Sequence, residues 1–312
     1  MLCGTLGKQK LILDVDATAI PSDKRTARMT YKGFRGYQPQ LGYLPELRAF
    51  VASSLRLGNV PSSKDVVSYL EHCKANMPEG TSIGLVRGDA AYYQREVLKW
   101  CKDNRSDFAI RAIREPELMR VLYEIPQGSW EPFVDSEGIE HRDAQVAECW
   151  HSMEKVGYFR LAVLRRRRED PQTDRFDGRY EYFPVATSLE CSAPDAMRLY
   201  NDRGKVEDAI GQLKSELGLS SLPCTQIEAN RTWVALCVLC FTVFVLFKVL
   251  VLGGEWAVMK AKAIGFRILY IGCRLVRHAR STVIRLACSE SRFRFLCGAR
   301  VRALSLAFPD IA

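Results

Sequence analysis

The chain has 312 residues, 47% of them hydrophobic and 26% charged, so it is long enough for one large domain or two ordinary ones and too apolar for a disordered tail. Its formal net charge is +9, from 45 Lys+Arg against 36 Asp+Glu, which favours a polyanionic partner. The segment from Lys248 to Ala312 holds 12 basic and 3 acidic residues, so the rest of the chain is neutral as a block. These counts predict a balanced globular body followed by a basic C-terminal region.

The cysteines indicate reduced thiols. There are eleven, an odd number, with no signal peptide before them, which is typical of a cytoplasmic protein and not of a disulfide framework. Cys237, Cys240, Cys273 and Cys297 lie in apolar runs, so we expect them to be buried. Cys237 and Cys240 form a C-x-x-C pair, but neither a second pair nor a nearby His completes a zinc site.

The first predicted element is a strand, LILDVDA, over Leu11–Ala17. By the two-residue period of a strand, Asp14 and Asp16 share one face, and three apolar residues share the other. The segment 30–63, with Gly, Tyr and Pro punctuation in TYKGFRGYQP and LRLGN, predicts two further strands in a meander. One edge of a buried sheet is therefore expected to carry two carboxylates.

The next segments alternate between helix and strand. SKDVVSYLEHCKANM predicts a helix, TSIGLVRGD a strand that ends at Asp89, AAYYQREVLKWCKD a helix and DFAIRA a strand. From about Glu115 to Leu189, period-two stretches and turn residues predict a β-rich insertion. It contains a run of four arginines, Arg165, Arg166, Arg167 and Arg168, which is either a solvated strand end or a contact to phosphates.

A helix is predicted from a cap at Ser192 through about Leu217. On its wheel, four residues lie within an arc of roughly 60°: Tyr200, Arg203, Glu207 and Lys214. This stripe is either a row of surface salt bridges or a functional group of one acid between two cations and a phenol. Asp202, which adds a negative charge beside Arg203, has no explanation in the sequence.

The apolar run Trp233–Leu252, interrupted by Lys248, has two interpretations. It is long enough for a membrane span whose lysine reaches the interface. A fully buried helix of a large α/β domain has the same composition. We expect the buried helix and no membrane association.

Three acids now stand on separate segments: Asp16 or Asp14 on the first strand, Asp89 at the end of a later strand, and Glu207 on a late helix. Phosphoryl transfer without a protein nucleophile needs groups that hold two hard divalent cations. Carboxylates from separated segments suit Mg²⁺. Cations beside the last acid would then neutralise charge on the reacting phosphate.

The spacing Tyr200, Arg203, Glu207, Lys214 resembles the Y-R-E-K signature of DDE transposases from bacterial insertion sequences. LDVDAT, VRGDAAYY, YKGFRGYQP and LRLGN also resemble motifs of that family, in the same order, so the resemblance covers roughly residues 11–250. It implies an α/β fold with a ribonuclease-H-like mixed sheet flanked by helices. It also implies the organisation: residues 1–114 and 191–252 as the catalytic core, 115–190 as the β-rich insertion before the last catalytic helix, and 253–312 as a basic helical region.

The resemblance implies that Asp16, Asp89 and Glu207 are catalytic and bind two Mg²⁺ or Mn²⁺ ions. Asp16 is preferred to Asp14 because the family's first acid is typically followed two residues later by Thr or Ser, here Thr18. DNA and phosphate contacts are expected from the remaining members of the signature and from the arginine run: Tyr200, Arg203, Lys214, Arg165, Arg166, Arg167 and Arg168. Trp130 and Trp150 are candidates for stacking on a base, with core packing favoured for both.

The implied activity is metal-dependent strand cleavage and strand transfer in cut-and-paste transposition. The expected partners are transposon-end and target DNA and a second copy of the chain, in the cytoplasm at the nucleoid. Relatives usually have a substantial region before the first acid, whereas at most a dozen residues precede its strand here, so a chain shortened at its front is expected. The alternative is an impaired remnant that only binds DNA without sequence preference.

Overall fold

The structure is a computed structural model that describes residues 9–168, 179–278 and 281–306. Its strands are β1 (Gln9–Ala17), β2 (Ile20–Pro21), β3 (Arg28–Met29), β4 (Arg35–Tyr37), β5 (Gln40–Leu44), β6 (Ala49–Ser54), β7 (Thr81–Gly88), β8 (Asp107–Arg111), β9 (Glu131–Val134), β10 (Glu140–Met153), β11 (Gly157–Arg167), β12 (Tyr180–Thr187), β13 (Cys273–His278) and β14 (Ser281–Leu286). Its α-helices are α1 (Val66–Ala75), α2 (Arg95–Asp103), α3 (Pro116–Tyr123), α4 (Ala193–Asn201), α5 (Gly204–Glu216), α6 (Ile227–Leu246), α7 (Ala261–Ile264) and α8 (Glu290–Ser305).

A nine-stranded mixed sheet organises the chain, in the order β6-β5-β1-β7-β8-β12-β11-β10-β9. Strands β1, β7 and β8 are parallel to one another, whereas β5 and β12 run antiparallel to them on either side. Because parallel strands end at the same edge of a sheet, β1 and β7 bring the residues that follow them together. This edge is the site edge.

Helices cover both faces of the sheet, as predicted for a mixed α/β fold. Leu11, Leu13 and Val15 point into one core, which α1 and α2 close. Asp14 and Asp16 point to the opposite face, which α4, α5 and α6 cover. The alternation of β1 therefore places its two carboxylates beneath the late helices.

The insertion continues the central sheet. The predicted period-two stretches lie in β10, β11 and β12, and β12 pairs with β8 of the core. The segment opens with helix α3, which the strand patterning does not predict. Since β11 is antiparallel to β12, its carboxyl end lies at the site edge.

The single helix expected from Ser192 to Leu217 is wrong. Ser192 caps α4 as predicted, and its hydroxyl accepts a hydrogen bond from the backbone N–H of Asp195. The helix is interrupted, however, between the end of α4 and the start of α5. Gly204, a weak helix former, lies at the break. Asp202 follows the last residue of α4 and forms an ion pair with Lys205 at 3.0 Å. The negative charge that the sequence left unexplained therefore has a partner.

The expectation of a fully buried helix over the apolar run is also wrong. Helix α6 continues as a π-helix over Phe247–Leu252, and it buries Val234, Phe241 and Val245 against the sheet. Leu239 and Val243, on the other side, are exposed. Among the described residues, this helix, Ile227–Leu252, is long and apolar enough to cross a membrane by length and composition alone.

The basic C-terminal region is not wholly helical. Strands β13 and β14 form a separate two-stranded ribbon, and α8 packs on the end of α6 through Val251, Leu252 and Ala299. All ten described cysteines are free thiols. Cys237 is buried, but Cys240, Cys273 and Cys297 are exposed, because α6 buries one face only and the ribbon and α8 are largely open.

Candidate active site

The two aspartates of β1 have different environments. Asp14 is fully buried and forms a two-pronged ion pair with Arg87 of β7, whose Nε and Nη2 donate to its two carboxylate oxygens at 2.6 and 2.7 Å. Burial raises the pKa of Asp14, and Arg87 opposes that rise. Asp14 is therefore held inside the sheet, whereas Asp16, two residues on, lies near the surface at the site edge.

Asp89 lies beside Asp16. The register pairs Val15 with Gly88, so the next residue of each strand is one of the two acids. Asp89 caps a one-turn 3-10 helix, Ala90–Tyr92, by accepting a hydrogen bond from the Ala91 N–H at 3.0 Å. A Cβ on Gly88 would lie 2.9 Å from the Tyr92 side chain, so this turn requires glycine.

Glu207 approaches the same place from α5, and Arg203 links it to β1. The Arg203 guanidinium lies 3.0 Å from Asp16 Oδ1 and 3.2 Å from Glu207 Oε1. The Arg203 side chain is 9% exposed, that of Asp16 17% and that of Glu207 65%. The break between α4 and α5 allows Arg203 to turn inward while Glu207 remains at the surface.

The three acids interact electrostatically. Burial raises the pKa of Asp16 to about 6, and the negative charges of Asp89 and Glu207 add to that rise, while Arg203 opposes it. Among the described residues, no three His, Cys, Asp or Glu side chains are grouped closely enough to hold a metal ion. Asp16 and Glu207 are instead joined through the guanidinium of Arg203.

Tyr200 and Lys214 complete the surroundings. Burial raises the pKa of Tyr200. The negative charges of Asp89 and Glu207 add to this rise, and the positive charges of Arg203 and Arg111 oppose it. Lys214 donates to the Thr18 hydroxyl at 2.5 Å and to the Ala19 carbonyl at 3.3 Å, so it fastens α5 to the residues after β1. Burial lowers the pKa of Lys214, and the positive charge of Lys32 lowers it further.

The arginine run divides between core and surface. Arg165 is 3% exposed, lies between the rings of Trp130 and Tyr180 at 4.0 and 4.2 Å, and donates to Gln145. A guanidinium held in this way is part of the core, so the position of Arg165 does not favour the predicted phosphate contact. Arg166 and Arg167 are exposed at the site edge, and Arg168 is partly exposed just beyond the strand.

The two candidate tryptophans lie in different environments. Trp130 is buried against Arg165 and Tyr182, which agrees with core packing. Trp150 is 65% exposed on β10, so core packing does not hold for it.

The structure adds contacts that sequence reasoning missed. Arg87 holds Asp14, and Thr18 and Lys32 act on Lys214. A charged residue inside the otherwise apolar strand TSIGLVRG was a usable signal, because a buried charge requires a buried partner. Nothing local in the sequence pairs Lys32 with Lys214.

The mixed sheet, its flanking helices and the β-strands inserted before the last acid define the fold of the ribonuclease-H-like transposases. The chain belongs to the family described as transposase DDE domain group 1, which it matches over residues 5–301. Its fold is similar to that of a piggyBac transposase, solved as a synaptic complex with hairpin DNA, with 10% sequence identity and a TM-score of 0.50. The similarity covers 76% of this chain and 46% of that one, so this chain spans less than half of that transposase. No curated protein matches the chain.

Proposed function

We propose that this transposase cleaves DNA at the ends of a mobile element and joins the freed ends to target DNA, in the cut-and-paste manner of bacterial insertion sequences with the Y-R-E-K signature. One observation carries the proposal. The register of β1 and β7 sets Asp16 beside Asp89, and Arg203 brings Glu207 of α5 to the same edge. The three acids of the signature thus converge from three separate segments.

The chemistry of the three acids suits two divalent metal ions, Mg²⁺ or Mn²⁺, which would have to draw the acids closer together than they lie here. All three groups are carboxylates, the oxygen ligands that hard cations prefer. Their mutual repulsion contributes to the raised pKa of Asp16, and a bound cation would relieve that repulsion. When bound, the ions supply charge neutralisation at the phosphate and an activated attacking oxygen.

The remaining residues of the site act on the DNA strand. Lys214, fastened to Thr18, holds a positive charge beside the first acid, where it attracts a phosphate oxygen. Tyr200 lies among Arg203, Asp89 and Glu207, so its phenol can donate to the same strand. Arg166, Arg167 and Arg168, at the same edge of the sheet, would hold phosphates further along the DNA.

The test uses purified protein and DNA that carries the element's own ends, with Mg²⁺ or Mn²⁺. We expect nicked and joined products, and we expect Asp89→Ala and Glu207→Gln to abolish both. Asp208→Asn is the matched control, since Asp208 is an exposed acid next to Glu207 on α5. Full activity of Asp89→Ala or Glu207→Gln would overturn the metal-ligand assignment.

A second candidate is a protein that binds DNA without chemistry. The observation that favours it is the absence, among the described side chains, of a three-membered metal-binding group. It predicts salt-dependent binding that is indifferent to sequence, and no metal-dependent cleavage.

For the leading proposal we expect two copies of the chain in the active complex, which light scattering of the protein with end DNA would measure.

A further inference from the structure

Lys248 is the one charged residue of the apolar run Trp233–Leu252, and the proposed chemistry gives it no role. It lies in the π-helical turn that follows α6, where it is 5% exposed. Its ammonium donates to the carbonyl oxygen of Met259 at 3.1 Å and lies 5.4 Å from the ring centroid of Phe244. Neither neighbour is an anion, and a positive charge removed from water is unfavourable without one.

Arg48 places a second positive charge beside Lys248. It lies in the turn between β5 and β6, and its Nη1 donates to the carbonyl oxygen of Ala257 at 3.0 Å. Its φ of +51° is a left-handed conformation that is unfavourable for a residue with a Cβ. Burial lowers the pKa of Lys248, and the charge of Arg48 lowers it further, whereas the charge of Glu216 raises it. The fold thus holds two like charges near one another.

A cavity of about 350 Å³ lies between the β5–β6 turn, α5 and the end of α6, and both cations line it. Tyr43 and Gln212 also line it and carry further hydrogen-bond donors. Because β5 runs antiparallel to β1, with Tyr43 opposite Asp14, the turn that holds Arg48 lies at the end of the sheet away from the site edge. This cavity is therefore separate from the three acids.

The other charged side chains of the wall have partners of opposite charge. Lys205 pairs with Asp202 at 3.0 Å, and Asp208, which is 76% exposed, lies 3.9 Å from Lys260. For Arg48 and Lys248, in contrast, no carboxylate of the described residues lies within 4.0 Å. The two cations that remain uncompensated are thus the two that meet at the cavity.

We propose that this cavity binds a phosphate group, either free or part of the DNA backbone, through Arg48 and Lys248. An anion between the two cations would replace their repulsion with attraction, and both are common phosphate ligands. The donors reach the cavity from three separate segments, which suits the tetrahedral oxygens of phosphate better than the two oxygens of a planar carboxylate. The volume lies at the low end of the range for small-molecule sites, as a small anion requires.

Equilibrium dialysis of the full chain against radiolabelled inorganic phosphate tests the site, with the ionic strength held constant by sodium chloride. We expect saturable binding of about one phosphate per chain. Lys248→Met and Arg48→Gly should each weaken it about tenfold, as loss of a charged hydrogen bond does. Lys262→Met, at an exposed lysine that does not line the cavity, should leave it unchanged.

The two variants are complementary. Lys248→Met removes a buried charge and keeps the apolar length of the side chain, and its thermal melt shows whether the fold is kept. Arg48 is exposed and has a positive φ that glycine adopts readily, so Arg48→Gly gives a result even if Lys248→Met fails to fold. Absence of saturable phosphate binding, or binding that is equal in Arg48→Gly and the wild type, would overturn the proposal.

Duplex DNA distinguishes the two sources of phosphate. If a backbone phosphate occupies the cavity, unlabelled duplex should displace the labelled phosphate, and Arg48→Gly should reduce the slope of log K against log salt for duplex binding by about one. If free phosphate is the occupant, duplex should neither displace it nor show a changed slope. These measurements need no metal and no cleavage, so their failure is distinct from failure of the proposed function, which appears as absence of metal-dependent cleavage of the element's ends.

Discussion

The guanidinium of Arg203 lies 3.0 Å from the carboxylate of Asp16, between the first and third acids. The same guanidinium contacts Glu207 at 3.2 Å, and its Nε has no partner. Arg203 thus acts as an internal counter-ion for acids that otherwise repel one another. The divalent cation proposed to bind Asp16 and Glu207 would have to compete with it.

Replacing Arg203 should therefore strengthen metal binding. The pair with Asp16 is largely buried, and loss of an ion pair of about 1.4 kcal/mol corresponds to about tenfold in affinity. We expect Arg203→Met to bind Mn²⁺ about tenfold more tightly than the wild type at pH 8, by titration calorimetry. Lys205→Met is the control and should bind as the wild type does, because Lys205 is an exposed cation that pairs with Asp202 and not with one of the three acids. Equal or weaker affinity in Arg203→Met would show that Arg203 does not compete.

Asp16 should make the metal-free protein less stable as the pH rises. Its pKa in the folded state is about 6, above the ordinary value of 3.8, so the folded state holds the proton more firmly than the unfolded state. Stability from this group is full below about pH 4 and is lost as the pH rises through about 6. At about 1.4 kcal/mol per pKa unit, the loss is about 2–3 kcal/mol.

Asp16→Asn measures that effect by urea unfolding in the presence of a chelator. The variant has no charge at this position, so its stability relative to the wild type should increase between about pH 4 and pH 7. Asp208→Asn, at an exposed acid of α5, should show no such trend. A constant difference between Asp16→Asn and the wild type across this range would contradict the raised pKa.

The buried pair of Asp14 and Arg87 should be important for folding. Removing one partner of a buried ion pair leaves an uncompensated charge and typically costs about 3–5 kcal/mol. We expect Arg87→Met to lower the free energy of unfolding by that amount, and Asp14→Leu combined with Arg87→Met to restore most of it. Arg114→Ala, which breaks the half-exposed pair with Glu181, should change it by less than about 1 kcal/mol.

The arginine run should separate stability from DNA binding. Arg165→Ala removes a guanidinium held between two rings, so we expect a lower melting temperature. Arg167→Ala should keep the melting temperature, weaken DNA binding and reduce the slope of log K against log salt by about one. Fluorescence anisotropy over a series of salt concentrations measures the slope. The reverse assignment of the two effects would show that the exposed arginine is not the phosphate contact.

Local patterning predicted the elements that lead to the site. The alternation in LILDVDA placed Asp14 and Asp16 on one face, and the end of TSIGLVRGD placed Asp89 at the edge of a strand. Both follow from the period of a strand and the punctuation after it. Ser192 was identified as a helix cap for a similarly local reason.

The features that the sequence did not predict depend on contacts between residues that are far apart in the chain. At the break before Gly204, Arg203 contacts Asp16, and these residues are far apart in the chain. The run in α6 is apolar on all sides, so its composition cannot show that only one face is covered. The choice between Asp14 and Asp16 came from the resemblance, and the partner of Asp14 on β7 gives it a physical reason.

The insertion shares one continuous sheet with the acids, and this fixes a distance. From β7 to β11 there are three strand intervals, or about 14 Å at the usual spacing of about 4.8 Å. Arg166 and Arg167 therefore cannot swing independently of Asp89, as they would on a hinged domain. Because hydrogen-bonded strands keep a constant spacing, a duplex bound at these arginines would meet the acids at a fixed distance along its length.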